Sequence, residues 1–568
     1  MSEKRTQNKG TKKQQEIQNY RRKEKSFNWV WLGGSVLLVI GVIATGVMLN
    51  VADIRQTPKR VMKEYFELLS KGKYEEMYAF VSDTSGIEKK AFLEKNKNIY
   101  EGIQMSGLQV KFDKEKKKKD KEKTAVVSYQ TKMETVAGEK AFYNEASLVK
   151  EKGGDWKLVW EPSLIFPELR EDDRIVVSTV SARRGNILDR NGNGLAVNGT
   201  VLQVGVVPGK MDEDKTGAIE KIAAEMDMTE EEIETKLSAA WVTDDVFVPL
   251  KSMAKGNEEK EQRLLEVKGV MISESEGRVY PLGAAGGHLT GYVQPISAEE
   301  LEEKQSEGYH ENSVIGKSGL ELAYEKTLKG SDGYEIYTAD QNGRTKILLA
   351  AKEKEDGQDV TVTIDAAIQQ KAYEQFQGDA AMAVSINPKT GEVMALVSTP
   401  AYDPNEFVYG ISDRRWTELN EDPNRPLLNR FYAALVPGST FKPITAAIGM
   451  DAGKLDPNEN KGYVGLSWQK DASWGEYMVT TLTDYGSEVN LQNALVYSDN
   501  IYFARAALDI GEDTMIEGMR RAGFEEELPF DIGAQVSTFG TDSKISSEIQ
   551  LADTGYGQGE LLVNPIHL

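Results

Sequence analysis

The first feature of the hydrophobic pattern is a run from Ser26 to Ala52 that contains no charged side chain. Its centre, residues 29–49, is apolar over 21 residues, about 30 Å of helix and so one bilayer crossing. Trp29 and Trp31 suit the interfacial belt, and the basic cluster precedes the run, which keeps the N-terminus cytoplasmic. The run is longer than the core of a cleaved signal peptide, and Asn50-Val-Ala-Asp53 is a weak cleavage site. We therefore expect a cytoplasmic tail (1–28), a retained transmembrane anchor (29–49), and everything after about residue 53 outside the cytoplasm.

Beyond the anchor the period changes repeatedly. Val61, Tyr65, Phe66 and Leu69, then Met77, Phe80 and Val81, fall at helical spacing and predict helices within 56–101. Segments 107–112 and 124–131 read as strands joined through the charged tip Asp113–Lys123, and a further strand ends at Trp156-Lys-Leu-Val-Trp160. A region from about 166 to 345 is turn-rich and carries an acidic helix near 215–240, with Ile219, Ile222 and Ala223 on one side. A third region opens with the strand 360–365 and the helix Ala366–Phe376. A hairpin follows, Ala381–Ile386 and Val393–Val397, turning at Asn387-Pro-Lys-Thr-Gly391.

With 568 residues, three or four domains are expected. The absence of cysteine excludes disulfides, thiol nucleophiles and zinc–thiolate sites, and only His288, His310 and His567 are present, so an imidazole base or histidine metal site has few candidates. The net charge is −21, yet residues 1–28 hold nine Lys/Arg against three Asp/Glu. So acidic a body argues against a nucleic-acid backbone as partner.

The informative segment is Val436-Pro-Gly-Ser-Thr-Phe-Lys-Pro-Ile-Thr-Ala-Ala-Ile-Gly-Met450. Pro437-Gly438 predicts a turn, and a helix follows from near Ser439 to about Asp451, with Phe441, Ile444 and Ile448 as its buried stripe. Ser439 and Lys442 then share a face of the first turn. A serine hydroxyl needs an adjacent base to become a nucleophile, and a desolvated lysine can be that base. Ser-x-x-Lys alone is common: Ser70/Lys73, Ser147/Lys150, Ser252/Lys255 and Ser467/Lys470 also fit, but none follows a Pro-Gly turn opening an apolar helix. The second element, Tyr497-Ser-Asp-Asn500, lies between two helix-like runs, 489–496 and 501–508. Taken alone it reads as a polar interhelical turn; the ordered pair carries the weight.

These motifs, with Ala182-Arg-Arg-Gly-Asn-Ile-Leu-Asp-Arg-Asn-Gly192, Tyr280-Pro281, Gly287-His-Leu-Thr-Gly-Tyr-Val293, Gly316-Lys-Ser-Gly-Leu-Glu321, Thr363-Ile-Asp365, Pro400-Ala-Tyr-Asp-Pro-Asn405, Asn429-Arg430, Gly557-Gln-Gly559 and Asn564-Pro565, resemble the class B penicillin-binding proteins. The resemblance implies a multidomain α+β chain. After the anchor come an NTF2-like, MecA-type domain (53–165) of the kind found in β-lactam-tolerant members, an elongated pedestal or dimerisation domain (166–345), and a partial transpeptidase α/β domain (346–568) of the serine β-lactamase type. It implies peptidoglycan stem peptides ending in D-Ala-D-Ala as substrates, β-lactams as covalent inhibitors, glycosyltransferase, divisome or elongasome partners, and neither metal nor cofactor. The implied roles are Ser439 as nucleophile, Lys442 as its general base, Ser498 as proton relay to the leaving amine, and Asn500 as a ligand of the substrate amide and of Lys442.

The family's third motif, Lys-Thr/Ser-Gly, is expected some tens of residues after Gly559, and the sequence ends at Leu568. Lys317-Ser-Gly319 and Lys389-Thr-Gly391 both precede Ser439 and are rejected as that element. The chain as written is therefore expected to be a fragment, inactive by itself. The competing readings are a non-catalytic wall-synthesis scaffold, a β-lactam sensor, and a D,D-carboxypeptidase using water as acceptor.

Overall fold

The computed structural model describes residues 57–114, 123–213, 215–376 and 378–568. The expected anchor at 29–49 and most of the charged tip lie outside the described residues. Among the described residues no helix is long and apolar enough to cross a membrane. Two compact units form, one of the residues up to Ser178 with Tyr334–Lys352, the other of Thr179–Gly333 with Glu353–Leu568.

In the first unit the helix Pro58–Ser70 begins where Thr57 Oγ1 accepts from Arg60 N–H and Pro58 fills a position whose N–H has no helical partner. It buries Val61, Met62, Tyr65, Phe66 and Leu69 against a four-stranded antiparallel meander, 106–112, 124–135, 138–150 and 156–159. The alternation in Thr124–Thr135 turns Val127, Tyr129 and Met133 inward, and Phe66 meets Tyr129 edge-on at 5.0 Å. One helix was expected through Met77, Phe80 and Val81. Instead a single α-turn (Tyr74–Met77) passes into a 3₁₀ turn, and Val81 bridges to Leu158 of the sheet. Pairing with the sheet overrides the local period.

Residues 333–339 and 345–352 form a hairpin that pairs with Arg174–Val180, and Ile336 and Leu349 enter the first unit's core. The segment Tyr334–Lys352 thus belongs with the N-terminal residues rather than with those just before it in sequence.

In the second unit the long strand Gly194–Val206 pairs on its two sides with Val248–Ala254 and Val270–Val279. The acidic helix expected at 215–240 is two helices. Asp227, at φ +51°, ends Thr216–Met226, and a capping box between Thr229 and Glu232 starts Glu230–Leu237. The segment 360–361 pairs in parallel with Ile187–Leu188, a shorter strand than expected. Beside it lies a buried ionic cluster: Glu321 accepts from Arg184 Nε and Arg278 Nε, both at 2.7 Å, and from Tyr280 OH at 3.1 Å. Glu325 takes Arg184 Nη2 at 2.7 Å. Paired this way, the charges avoid the full cost of desolvation.

The helix Ala366–Phe376 covers the hairpin Ala381–Ile386/Val393–Thr399. Its buried Gln369 accepts from Leu396 N–H and donates to Leu396 O and Ala285 O. Lys389–Gly391 is the turn of this hairpin, and Lys317–Gly319 connects a short strand to a helix. The regular elements of the remainder are mainly helices. Its central helix, Asn500–Ile510, buries Ile501, Tyr502, Phe503, Ala504, Ala506, Ala507 and Ile510, so neighbours pack on several sides of it.

Candidate active site

Gly438, at φ +57°, opens a 3₁₀ turn, Gly438–Phe441, that runs into the α-helix Lys442–Asp451. The helix proper therefore starts three residues later than the sequence pattern suggests, and Ser439 sits on the turn with Lys442 at the first α-helical position. Pro443 occupies the first turn, where its missing N–H costs nothing. Phe441 and Thr445 are fully buried; Ile444 and Ile448 are partly buried against the same core. The anchored stripe leaves Ser439 exposed while Lys442 is 1% exposed.

The turn before Ser439 is held from behind. Gly438 N–H donates to Gly557 O at 2.9 Å, and Leu435 and Val563 exchange two backbone hydrogen bonds. Asn564, wholly buried, donates from Nδ2 to Tyr432 O at 2.8 Å and Phe431 O at 3.2 Å. Gly557 is at φ +87°, and a Cβ there would lie 1.8 Å from Gly438 O. Only glycine fits this approach, which gives the Gly557-Gln-Gly559 landmark its physical reason.

The second motif sits at the mouth of the helix Asn500–Ile510. Asp499 caps that helix, Oδ1 accepting from the N–H groups of Ile501 and Tyr502. Ser498 is at φ +55°, a left-handed conformation costing a serine about 1–2 kcal/mol. In that conformation its carbonyl and its hydroxyl face the same atom: Lys442 Nζ lies 2.8 Å from Ser498 O and 2.9 Å from Ser498 Oγ. Nζ also lies 2.7 Å from Asn500 Oδ1 and 3.0 Å from Ser439 Oγ, and the two serine hydroxyls are 2.9 Å apart. The four residues singled out in the sequence thus meet around one nitrogen. The other Ser-x-x-Lys lysines turn elsewhere: Lys73 to Glu76, Lys255 to Glu274, Lys470 to Glu548, and Lys150 over the Trp156 ring.

Proton accounting at Nζ is restrictive. Ser498 O can only accept. Asn500 donates from Nδ2 to Thr480 O at 3.0 Å, which fixes its Oδ1 toward the lysine as a second obligate acceptor. A neutral amine has two hydrogens, matched by these two acceptors, and its lone pair is then left for a hydroxyl. Burial pushes the Lys442 pKa down from 10.5 to about 8, against the opposing pull of the Asp499 carboxylate.

Asp499 stands in the sequence motif without a role of its own, although an Asp directly before an apolar helical run is the signal that marks a cap. No sequence pattern marks Tyr485, whose hydroxyl reaches Asp499 Oδ2, or Thr480, which contributes a backbone carbonyl.

Residues 57–173 match the NTF2-like N-terminal transpeptidase domain, 179–362 the Penicillin-binding Protein dimerisation domain, and 381–568 the Penicillin binding protein transpeptidase domain. The chain is 40% identical over 518 residues to "Penicillin-binding protein 3" of Bacillus subtilis strain 168, covering 90% of this chain and 77% of that relative. It is 31% identical over 374 residues to "Peptidoglycan D,D-transpeptidase MrdA" of Escherichia coli K12, covering 64% of this chain and 59% of that protein. Among solved structures, the Helicobacter pylori penicillin-binding protein PBP2 in complex with MreC shares the fold with a TM-score of 0.52 at 24% identity, over 69% of this chain and 75% of that one. The matched domains, in this order, and the relatives over most of its length place the chain in the class B penicillin-binding proteins, the serine-type D,D-transpeptidases of peptidoglycan.

Proposed function

We propose that Ser439 is the nucleophile, with Lys442 as its general base. What supports this is the nitrogen bound by two obligate acceptors, with Ser439 Oγ 3.0 Å away. With its pKa lowered to about 8, about a tenth of Lys442 is neutral at pH 7. As Ser439 Oγ bonds to the penultimate D-Ala carbonyl of a stem peptide, its proton passes to Lys442. The C–N bond to the terminal D-Ala then breaks, and the departing amine takes a proton from Lys442 through the Ser498 hydroxyl, which lies within 2.9 Å of both Nζ and Ser439 Oγ. An amine of a neighbouring stem peptide attacks the acyl-enzyme, gives a proton to Lys442, and Ser439 leaves with a proton returned. Asn500 holds Lys442 through Oδ1, and its Nδ2 carries a second hydrogen for the substrate amide. A β-lactam carbonyl acylates the same oxygen.

In this reading residues 29–49 anchor the protein and the site works in the wall space outside the membrane. The Helicobacter pylori relative, solved with MreC, supports a morphogenesis protein of that kind as partner. The test is labelling of the full gene product, in membranes, by a fluorescent penicillin. Ser439→Ala and Lys442→Ala are expected to abolish labelling; labelling of Ser439→Ala at the wild-type rate refutes the nucleophile, and an undiminished Lys442→Ala refutes the base.

A further inference from the structure

Tyr485, in the loop before the helix Leu491–Val496 that leads into the second motif, grips that motif on both flanks of Ser498. Its hydroxyl donates to Asp499 Oδ2 at 2.9 Å, on the C-terminal side. Its ring stacks on Tyr497, on the N-terminal side, with centroids 4.6 Å apart and planes 3° from parallel. The residue between these grips is the one in a left-handed conformation, and it presents two oxygens to Lys442. Such a backbone state persists only where surrounding contacts over-determine it. The Asp499 cap fixes the motif from below, at the helix mouth; Tyr485 is the side chain that joins the two neighbours of Ser498 to each other.

We propose that Tyr485 is a positioning residue for acyl transfer, holding Tyr497-Ser498-Asp499 in the turn that aims the carbonyl and hydroxyl of Ser498 at Lys442. This rests on Lys442 being the general base. Asp499 is also the carboxylate whose charge acts on Lys442. A hydroxyl donating to it draws its charge away from the amine, so Tyr485 acts on the base by geometry and by field. Among the described residues, other titratable or charged groups near the pair are Tyr502 and Arg505, on the helix that Asp499 caps, and Tyr463, hydrogen-bonded to Asp484, across a cavity of about 10 Å³ that Tyr485, Asp499, Thr481 and Arg505 help to line. That volume is the size of one water, and the buried Thr481 Oγ1 lacks a protein partner there.

The test uses the full gene product and the second-order rate of Ser439 acylation by a fluorescent penicillin, from neutral to alkaline pH, with thermal unfolding in parallel. Tyr485→Phe keeps the stack and removes the hydroxyl. It is expected to acylate about tenfold more slowly at neutral pH, the loss of one hydrogen bond to a charged group, with the alkaline inflection displaced upward because Asp499 then acts on Lys442 unshielded. Tyr485→Leu, which loses both grips, is expected to be slower again, and Tyr497→Leu to slow acylation without moving the inflection. A Tyr485→Phe protein with wild-type rate and inflection overturns the proposal. So does a loss of rate in all three that only tracks the unfolded fraction. Lys442→Ala separates the two levels: if it acylates normally, the base assignment falls and this proposal with it; if it is inactive while Tyr485→Phe is normal, only the role of Tyr485 falls.

Discussion

Replacing Gly557 by alanine perturbs the nucleophile without touching a reacting group. The new methyl would lie 1.8 Å from Gly438 O, 2.5 Å from Gly438 C and 2.9 Å from Gly438 Cα. All three are backbone atoms, so no side chain can swing away to relieve the contact. A carbon–oxygen approach of roughly 3.3 Å is tolerable, so the two segments must part by about 1.5 Å, breaking the hydrogen bond from Gly438 N–H to Gly557 O. Gly438 is bonded to Ser439, and misplacement of a reacting group by about 1 Å costs on the order of 100-fold in rate. Gly453→Ala is the control. Gly453 is also left-handed, at φ +64°, but a Cβ there meets nothing within 4 Å, so this variant carries only the conformational penalty of about 1–2 kcal/mol. In the full gene product, acylation by a fluorescent penicillin is expected to fall about 100-fold in Gly557→Ala and to stay at the wild-type level in Gly453→Ala, although both melt lower. Equal acylation rates in the two variants would refute the argument that Gly557 sets the position of Ser439.

The Lys442 ionisation gives a pH signature. The unfolded chain keeps this proton to about pH 10.5 and the folded protein releases it near 8, so between those values the unfolded state binds more protons and stability rises with pH. Below about pH 8 both states are protonated and the full desolvation cost is present. Wild type is therefore expected to gain stability over Lys442→Met as pH climbs from about 8 toward 10.5 and to show no trend below 8, read by urea denaturation; acylation should rise through the same lower value. Asn500→Asp places a carboxylate where the amide oxygen now lies, 2.7 Å from Nζ. The ion pair should raise the Lys442 pKa by about 1–3 units and carry the acylation inflection up with it, and an unmoved inflection would contradict the proton accounting. Glu321→Gln leaves Arg184 and Arg278 under-compensated in a buried cluster and is expected to cost about 3–5 kcal/mol; a change below about 1 kcal/mol would mean that solvent reaches the cluster.

The chemistry was legible because it is written at helix starts. Pro437-Gly438 before an apolar stripe and Ser498-Asp499-Asn500 before another are local signals, and their meeting needs only two helices packed side by side. What was not legible is non-local. Nothing in Tyr334–Lys352 says that its hairpin pairs with Arg174–Val180 rather than with its own sequence neighbours. Val81 reads as part of a helix until the strand carrying Leu158 is there to claim it. Tyr485 lies fourteen residues before Asp499, with no period linking them. Gly557 is legible as a landmark, but the reason it must be glycine is the carbonyl of Gly438, more than a hundred residues away in the chain. The lysine's lowered proton affinity was legible only as a requirement of the chemistry; its cause, burial to 1% exposure, belongs to the fold.

The same hairpin makes the polypeptide's path discontinuous: the chain leaves the first unit after Ser178, re-enters at Tyr334 and departs again at Lys352. Cutting the gene at the first crossing would not liberate an intact remainder. It would orphan a two-stranded flap, with Ile336 and Leu349 stripped of their cover and an open edge inviting aggregation. Recombination or domain-swapping experiments on this scaffold must move two non-contiguous stretches together, and an exchange that carries only the leading one should yield insoluble protein.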